Sequence, residues 1–368
     1  MFEGFQKFFS KQPQSVVGID IGSSSIKVVQ LRREHGSAIL ETYGAVALGP
    51  YGQVEIGRAT QLQPDVIATA LSDVLRESNV STLEAAFAVP YSSSLVSVIK
   101  LPVVAEGKLD QIMPLEARKY IPVPIEEVQL DWSIVSGGDS ASPDGKIEVM
   151  LAAIQNNTLE KYRHIAQSVS LHPTLFEIEV FSAVRSSLEH GIAPVAVVDI
   201  GAATIKVYIV ERGLVRESHI INHGSQELTL NASRSLLISI TQAEEYKRKM
   251  GLEAPKEATT IPGSHTTTAD ILHSFELTCS QQISDLSRTI SSFEQRMGEA
   301  IGTIVFTGGG SELRGLAQFM QTRVQGEVVL ADPFHKTQAP AFLDDILKSV
   351  GPEFSVAVGV ALRKLQEL

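Results

Sequence analysis

Cysteine occurs once in the 368 residues, at Cys279. A lone thiol closes no internal disulfide and builds no cysteine-based metal cluster, so a reducing compartment is the natural setting and a small, partly buried apolar role is expected. Positive charge is also in short supply: 31 Lys and Arg stand against 42 Asp and Glu, a formal net charge of −11. No dense Lys/Arg block could neutralise a run of phosphates, which argues against nucleic acid as a partner. No apolar run approaches the roughly 20 residues that a bilayer-spanning helix needs, so a soluble protein is expected. Met1 to Gln12 lack the apolar core and small-residue cleavage site of a secretion signal. Phe2, Phe5, Phe8 and Phe9 would share one side of a helix there, a face suited to a membrane surface or a partner, although a frayed or locally docked terminus is the expectation for so short a segment. The Walker pattern Gly-x-x-x-x-Gly-Lys-Ser/Thr is missing, and Gly308-Gly309-Gly310 lacks the Rossmann spacing. Two common nucleotide folds are thereby disfavoured.

What is present is a repeat. Val17-Gly18-Ile19-Asp20-Ile21-Gly22-Ser23-Ser24-Ser25-Ile26-Lys27-Val28 returns as Val197-Val198-Asp199-Ile200-Gly201-Ala202-Ala203-Thr204-Ile205-Lys206-Val207. In each copy a β-branched run reaches an Asp, Gly and small residues make a tight turn, and a second β-branched run leaves: a strand-turn-strand hairpin. Small residues let backbone N–H groups approach a phosphate, and an Asp ending the first strand can hold a hydrated Mg2+. One such hairpin would signify turn geometry alone. Two copies suggest hairpins facing each other across a cleft, with Gly22, Ser23, Ser24, Ser25 and Lys27 on one side and Gly201, Ala202, Ala203 and Thr204 on the other, and Asp20 and Asp199 as the metal candidates.

Further along, Ile304 to Ser311 reads as a buried strand running into the turn Gly308-Gly309-Gly310-Ser311, followed by a helix over Leu313 to Val324. Backbone without side chains can lie flat against a nucleoside, so this is the expected adenosine-side loop. Glu244 and Lys247, three apart near the end of a helical segment, share a helix face and could bond ribose hydroxyls and a base edge. By themselves they would read as a surface ion pair.

This order of phosphate hairpin, helix, second phosphate hairpin, Glu-x-x-Lys helix and triple-glycine loop resembles the superfamily of actin, sugar kinases and heat-shock ATPase domains. Leu115-Glu116-Ala117-Arg118-Lys119-Tyr120-Ile121-Pro122-Val123-Pro124-Ile125-Glu126-Glu127-Val128-Gln129-Leu130-Asp131-Trp132 is similar to the signature of one branch, the PilM family of type IV pilus assembly proteins, relatives of the cell-division protein FtsA. The resemblance runs from about Val16 to Leu365 and includes Asp332-Pro333-Phe334. It implies an α/β fold, the duplicated two-domain actin-like (ribonuclease H-like) fold with an FtsA-like subdomain inserted in the first half.

The expected organisation is an N-terminal tail (1–13), a first-half core (14–90 and 171–192), an inserted α+β subdomain (91–170), a second-half core (193–221 and 299–368) and a helical lobe (222–298). Physically, the insert is a helix stopped by Pro122 and Pro124, strands Val128 to Val135 and Lys146 to Ile154 around the polar loop Gly137 to Gly145, and a helix from Leu159 to Val169. Pro64 to Ser78 has the apolar stripe of a helix covering a sheet, and Ala85 to Pro90 returns to that sheet. Val180 to Glu189 and the small-residue helix around Ala357 to Leu362 are expected as hinge helices, and Ala258 to Asp270 as a mobile surface loop.

The resemblance further implies ATP and Mg2+ as ligands, and Glu179 as the carboxylate orienting an attacking water, with Glu177 as the alternative. It implies a groove beside the insert receiving the N-terminal cytoplasmic peptide of a PilN-like single-span membrane protein, with pilus motor ATPases and a second copy as further partners. The place would be the cytoplasmic face of the inner membrane, held peripherally. No dedicated pocket for a second substrate is legible. A nucleotide-gated adaptor with at most slow ATPase activity is therefore the leading expectation. The alternatives are an active ATPase or small-molecule kinase of the same superfamily, or an FtsA-like membrane-associated filament protein.

Overall fold

The computed structural model describes residues 14–102, 109–136, 146–189, 191, 193–255 and 257–367. The Phe-rich start and the loop Gly137 to Gly145 lie outside the described residues. The chain opens on β1 (Ser15–Ile21), β2 (Ser25–Glu34) and β3 (Ser37–Ala47), followed by α1 (Pro64–Glu77) and β4 (Glu84–Val89). It then leaves for β5 (Ser94–Pro102), α2 (Leu109–Ala117), β6 (Val128–Ser136) and β7 (Lys146–Gln155). It returns through α3 (Asn156–Ser168), β8 (His172–Ile178) and α4 (Glu179–Ser187). The second half runs β9 (Val195–Ile200), β10 (Ile205–Glu211), β11 (Leu214–Ile221), α5 (Gln226–Leu236), α6 (Ile240–Lys249) and α7 (Thr268–Met297). It closes with β12 (Thr303–Thr307), α8 (Leu316–Gln321), β13 (Glu327–Leu330) and α9 (Asp344–Gln366).

Two five-stranded sheets carry the duplication. Their orders are β3-β2-β1-β4-β8 and β11-β10-β9-β12-β13, with antiparallel pairing on the hairpin side and parallel pairing beyond it in both. The central strands are apolar on both faces because both faces are covered. Val17 and Ile19 of β1 pack with Ile67 and Leu71 of α1 and Ile165 of α3. Val16 on the opposite face joins Val180 and Ala183 of α4 and Ala357, Val358 and Ala361 of α9. In the second sheet Val197 and Tyr208 face this same α4/α9 layer, while Ala196, Val198 and Val207 face the helical lobe with Phe275 and Ile283 of α7. The two sheets thus share one pair of helices, which lie between them.

That shared layer requires glycine where backbones meet. A Cβ at Gly359 of α9 would overlap the carbonyl oxygen of Ser182 in α4, and one at Gly18 of β1 would overlap the carbonyl of Ala357. The insert has its own sheet, β5-β7-β6, and its own small core of Ile99, Met113, Ile121, Val149 and Leu151.

Three expectations change. The helix expected over Leu313 to Val324 is a 3-10 turn, Gly309–Glu312, and then α8 from Leu316, because Gly315 at φ 75° breaks the helix between them. Helix α2 ends at Ala117, five residues before Pro122, where the N–H groups of Tyr120 and Ile121 close on the Ala117 carbonyl. The prolines therefore follow the helix end rather than cause it. The stretch Ala258 to Asp270 is tied to the lobe: Ile261 is buried, Thr266 Oγ1 donates to the Leu236 carbonyl at 3.1 Å, and Thr267 with Asp270 caps α7. Among the described residues no helix is long and apolar enough to cross a membrane.

Candidate functional site

The two hairpin turns close in the same way. Gly22 N–H donates to the Ser25 carbonyl at 3.0 Å, and Gly201 N–H donates to the Thr204 carbonyl at 2.9 Å. Strand register sets Asp20 opposite Lys27 in the first hairpin and Asp199 opposite Lys206 in the second. Within each turn, the amides of Ser23 and Ser24, and of Ala202 and Ala203, donate to no backbone or side-chain group among the described residues. Four free N–H groups on small residues, in two turns lining one cavity of about 880 Å3, form a concave donor surface of the kind that binds an anion. Asp20, Gly22, Ser23, Ser24, Lys27, Glu179, Asp199, Gly201, Ala202, Ala203, Thr204, Lys206, Gly308 and Gly309 all line it.

The charges there are arranged asymmetrically. Asp20 makes no ion pair within 4 Å among the described residues, and burial pushes its carboxyl up to about 6, with Lys27 opposing. Asp199 Oδ2 instead accepts from the Lys206 ammonium at 3.2 Å, and the same ammonium donates to Glu179 Oε2 at 2.7 Å. Burial would lower Lys206, but Glu179 and Asp199 hold it well above its ordinary range, so it stays charged. The other oxygen of Glu179 accepts the Tyr91 N–H at 2.6 Å. Glu177, the alternative carboxylate, is committed to Arg185 in a bidentate pair at 2.6 Å and to Ser182, locking the start of α4.

A second compartment of about 520 Å3 continues from the first, lined by Ser24, Ser25, Lys27, Gly201, Ala202, Glu244, Lys247, Arg248, Gly309, Gly310 and Glu312. Its inner wall is apolar, with Phe306, Leu316, Met320 and the buried Cys279. Gly308, at φ 80°, must lack a side chain because a Cβ would overlap Asp199 Oδ1, and Gly310 is similarly pressed on Ile200. Ser311 points elsewhere: its hydroxyl donates to the Gly308 carbonyl at 2.7 Å and it lines neither compartment. Glu244 and Lys247 pair at 2.6 Å and are both buried, which sets them apart from a surface pair. Glu244 also accepts from Thr229 at 2.7 Å and Arg248 at 2.8 Å, so a ribose hydroxyl would share an occupied carboxylate.

Three cleft residues were not picked out from the sequence. Lys206 was visible in the second repeat at the position of Lys27, yet its bridge to Glu179 depends on α4 starting beside β10. Glu353 of α9 lies 3.6 Å from Lys27 and accepts from Ser25 Oγ at 3.4 Å. Glu312 accepts the Glu353 N–H at 3.1 Å, and burial with the nearby Glu353 charge pushes its carboxyl up to about 8. Nothing local marks Glu312 or Glu353, since both are brought in by tertiary packing.

For a divalent cation, no group of three His, Cys, Asp or Glu side chains stands ready among the described residues. Magnesium that travels with phosphates needs only one or two carboxylates and keeps several waters. Asp20, half-buried and without an ion pair among the described residues, fits that requirement, whereas Asp199 is already paired with Lys206.

Comparison with known proteins adds the lineage. The profile of the family described as type IV pilus assembly protein PilM matches residues 18–365. A solved PilM-PilN type IV pilus biogenesis complex is similar at TM-score 0.77 and 21% identity, over 95% of this chain and 98% of that one. The ethanolamine utilization protein EutJ from Carboxydothermus hydrogenoformans follows at TM-score 0.54 and 14% identity, over 95% of this chain and 90% of that one. MreB 5 of Spiroplasma citri bound to AMPPNP is similar at TM-score 0.52 and 11% identity, over 96% and 97%. The fold is therefore the actin-like one, with its duplicated sheets.

Proposed function

The chain belongs to the family of the type IV pilus assembly protein PilM, and from that premise we propose that it is a nucleotide-gated adaptor of the pilus assembly platform. ATP binds in the cleft, and the insert built on β5, α2, β6 and β7 takes the N-terminal peptide of a PilN-like membrane protein. The observation that carries the nucleotide half is the pair of matching turns with free amides at Ser23, Ser24, Ala202 and Ala203 in one cavity. Lys27 adds a cation to them, and the apolar inner wall behind Gly309 and Gly310 offers room for a base. A magnesium ion accompanying the phosphates supplies charge neutralisation, and Asp20 would hold it. Glu179, the candidate to orient an attacking water, is held by Lys206 and Tyr91. This favours slow or no hydrolysis.

The peptide half draws on family membership and on the partner in the similar PilM-PilN complex. The insert also exposes Leu115, Tyr120 and Ile134, apolar side chains suited to a partner. Binding such a peptide would hold the chain at the cytoplasmic face of the inner membrane.

The test is calorimetric titration of the full chain with AMPPNP and magnesium, followed by titration with N-terminal peptides of single-span pilus membrane proteins. We expect nucleotide binding in which Asp20→Ala costs about tenfold in affinity, roughly one charge-assisted contact, and only when magnesium is present. Turnover of many ATP per second, or an unchanged affinity in the variant, would overturn the adaptor reading or the Asp20 assignment respectively.

A further inference from the structure

Lys206 stands where three parts of the molecule meet. Its stem rises from β10, its ammonium opens into the phosphate end of the cleft beside Thr204, and it bridges Asp199 at 3.2 Å to Glu179 at 2.7 Å. Glu179 is the first residue of α4 and so belongs to the helix pair between the sheets. Its second oxygen holds the N–H of Tyr91 at 2.6 Å. Tyr91 sits on the link between β4 of the first-half sheet and β5 of the insert. Its ring packs 6.0 Å from that of Tyr208, two residues beyond Lys206 on the same strand, and its hydroxyl is bonded to Ser218 of β11. The buried Tyr208 hydroxyl has no hydrogen-bond partner among the described residues, so this cluster contains a polar group with room to gain from a rearrangement.

We propose that Lys206 senses the terminal phosphate of a bound nucleoside triphosphate and passes its presence through Glu179 to the Tyr91 amide and the insert. The inference rests on the nucleotide-binding reading above and names its regulation. With the cleft free of phosphate, one ammonium serves two carboxylates. A terminal phosphate between the two turns is a third anion on the same cation, and the four-carbon stem of a lysine lets the ammonium move toward it. Glu179 then keeps only the Tyr91 N–H, and the buried carboxylate has to adjust its position or take up a water. The contact at the root of the insert changes with it. A diphosphate, one phosphate shorter, leaves Lys206 on Glu179.

The experiment uses the full chain with AMPPNP and ADP, reading affinity by calorimetry and amide exchange over residues 91–101 by NMR or mass spectrometry. In the unmodified chain exchange in this segment differs by tenfold or more between the two nucleotides. In Lys206→Met both still bind, the preference for AMPPNP over ADP falls at least fivefold, and the exchange difference disappears. Lys206→Arg restores it. Because Lys206→Met leaves two carboxylates without their cation, the uncharged pair Lys206→Met with Glu179→Gln serves as the folded control and likewise loses the exchange difference. If neither nucleotide binds the unmodified chain, the nucleotide reading fails and the relay with it. If both bind and residues 91–101 exchange alike, or if Lys206→Met or its pair with Glu179→Gln keeps the difference, the relay alone is wrong.

Discussion

Asp20 and Glu312 are the cleft residues whose chemistry departs furthest from that of a surface carboxylate. Burial raises Asp20 from 3.8 to about 6 and, with the Glu353 charge, raises Glu312 from 4.5 to about 8. For an acid raised on folding, the folded state holds the proton more tightly. The stability it contributes is present below the unfolded value and is lost as pH rises through the folded one. The windows are pH 3.8 to about 6 for Asp20 and 4.5 to about 8 for Glu312. We therefore expect Asp20→Asn to stabilise the fold at pH 7, by at most about 3 kcal/mol, while weakening magnesium-dependent binding. Glu312→Gln should raise the thermal midpoint at pH 8.5 and leave it nearly unchanged at pH 4.5. Thermal melts of the three chains at pH 4.5, 7 and 8.5 check this, and an Asp20→Asn chain less stable at pH 7 would refute the account. A ligand-free site that is less stable than its neutral variant is what a cleft built to receive a cation and an anion should show.

At the level of elements, the crossing of α4 and α9 joins the two halves. Gly359 lies where the helices touch, so a side chain there must displace the Ser182 backbone. Gly359→Val should cost about 3 kcal/mol or more in denaturant unfolding. Gly298→Ala is the control: Gly298 ends α7 at φ 71° with open space around it, and the backbone conformation alone should cost about 1 kcal/mol. Equal losses would mean that the helix crossing is not the close contact described. The hairpins, two of the three insert strands and these helices were legible because their signals are local, such as β-branched runs meeting a small-residue turn or an apolar stripe at helical spacing; β5 was not read from the sequence. The boundary at Gly315 was missed because Leu313 to Val324 keeps apolar spacing across it, and only the φ of one glycine breaks the helix.

For the whole molecule, the halves also meet across the mouth of the cleft. The loop after β3 reaches the helical lobe, where the Ala59 N–H donates to Gln226 Oε1 at 3.0 Å and Gly57, at φ 88°, leaves room for the Glu244 carboxylate. Gln226→Ala removes one such tie, worth about 1 kcal/mol. The rate at which a fluorescent nucleotide analogue leaves should rise several-fold in stopped-flow displacement while the melting temperature shifts little. An unchanged rate would show that this latch does not limit opening.

The sequence by itself determined the repeat, the two turns with their aspartates, the glycine loop and the family, because each is written in contiguous residues whose backbone demands are local. Only the tertiary structure decided how the charges are shared. It placed Lys206 on Asp199 and Glu179, left Asp20 unpaired, turned Ser311 away and brought Glu312 and Glu353 into the cleft. Residues as far apart as Lys27 and Glu353 come within 3.6 Å only after two sheets close on one pair of helices. Charge sharing depends on distance and burial in space, which the spacing of residues along the chain does not encode.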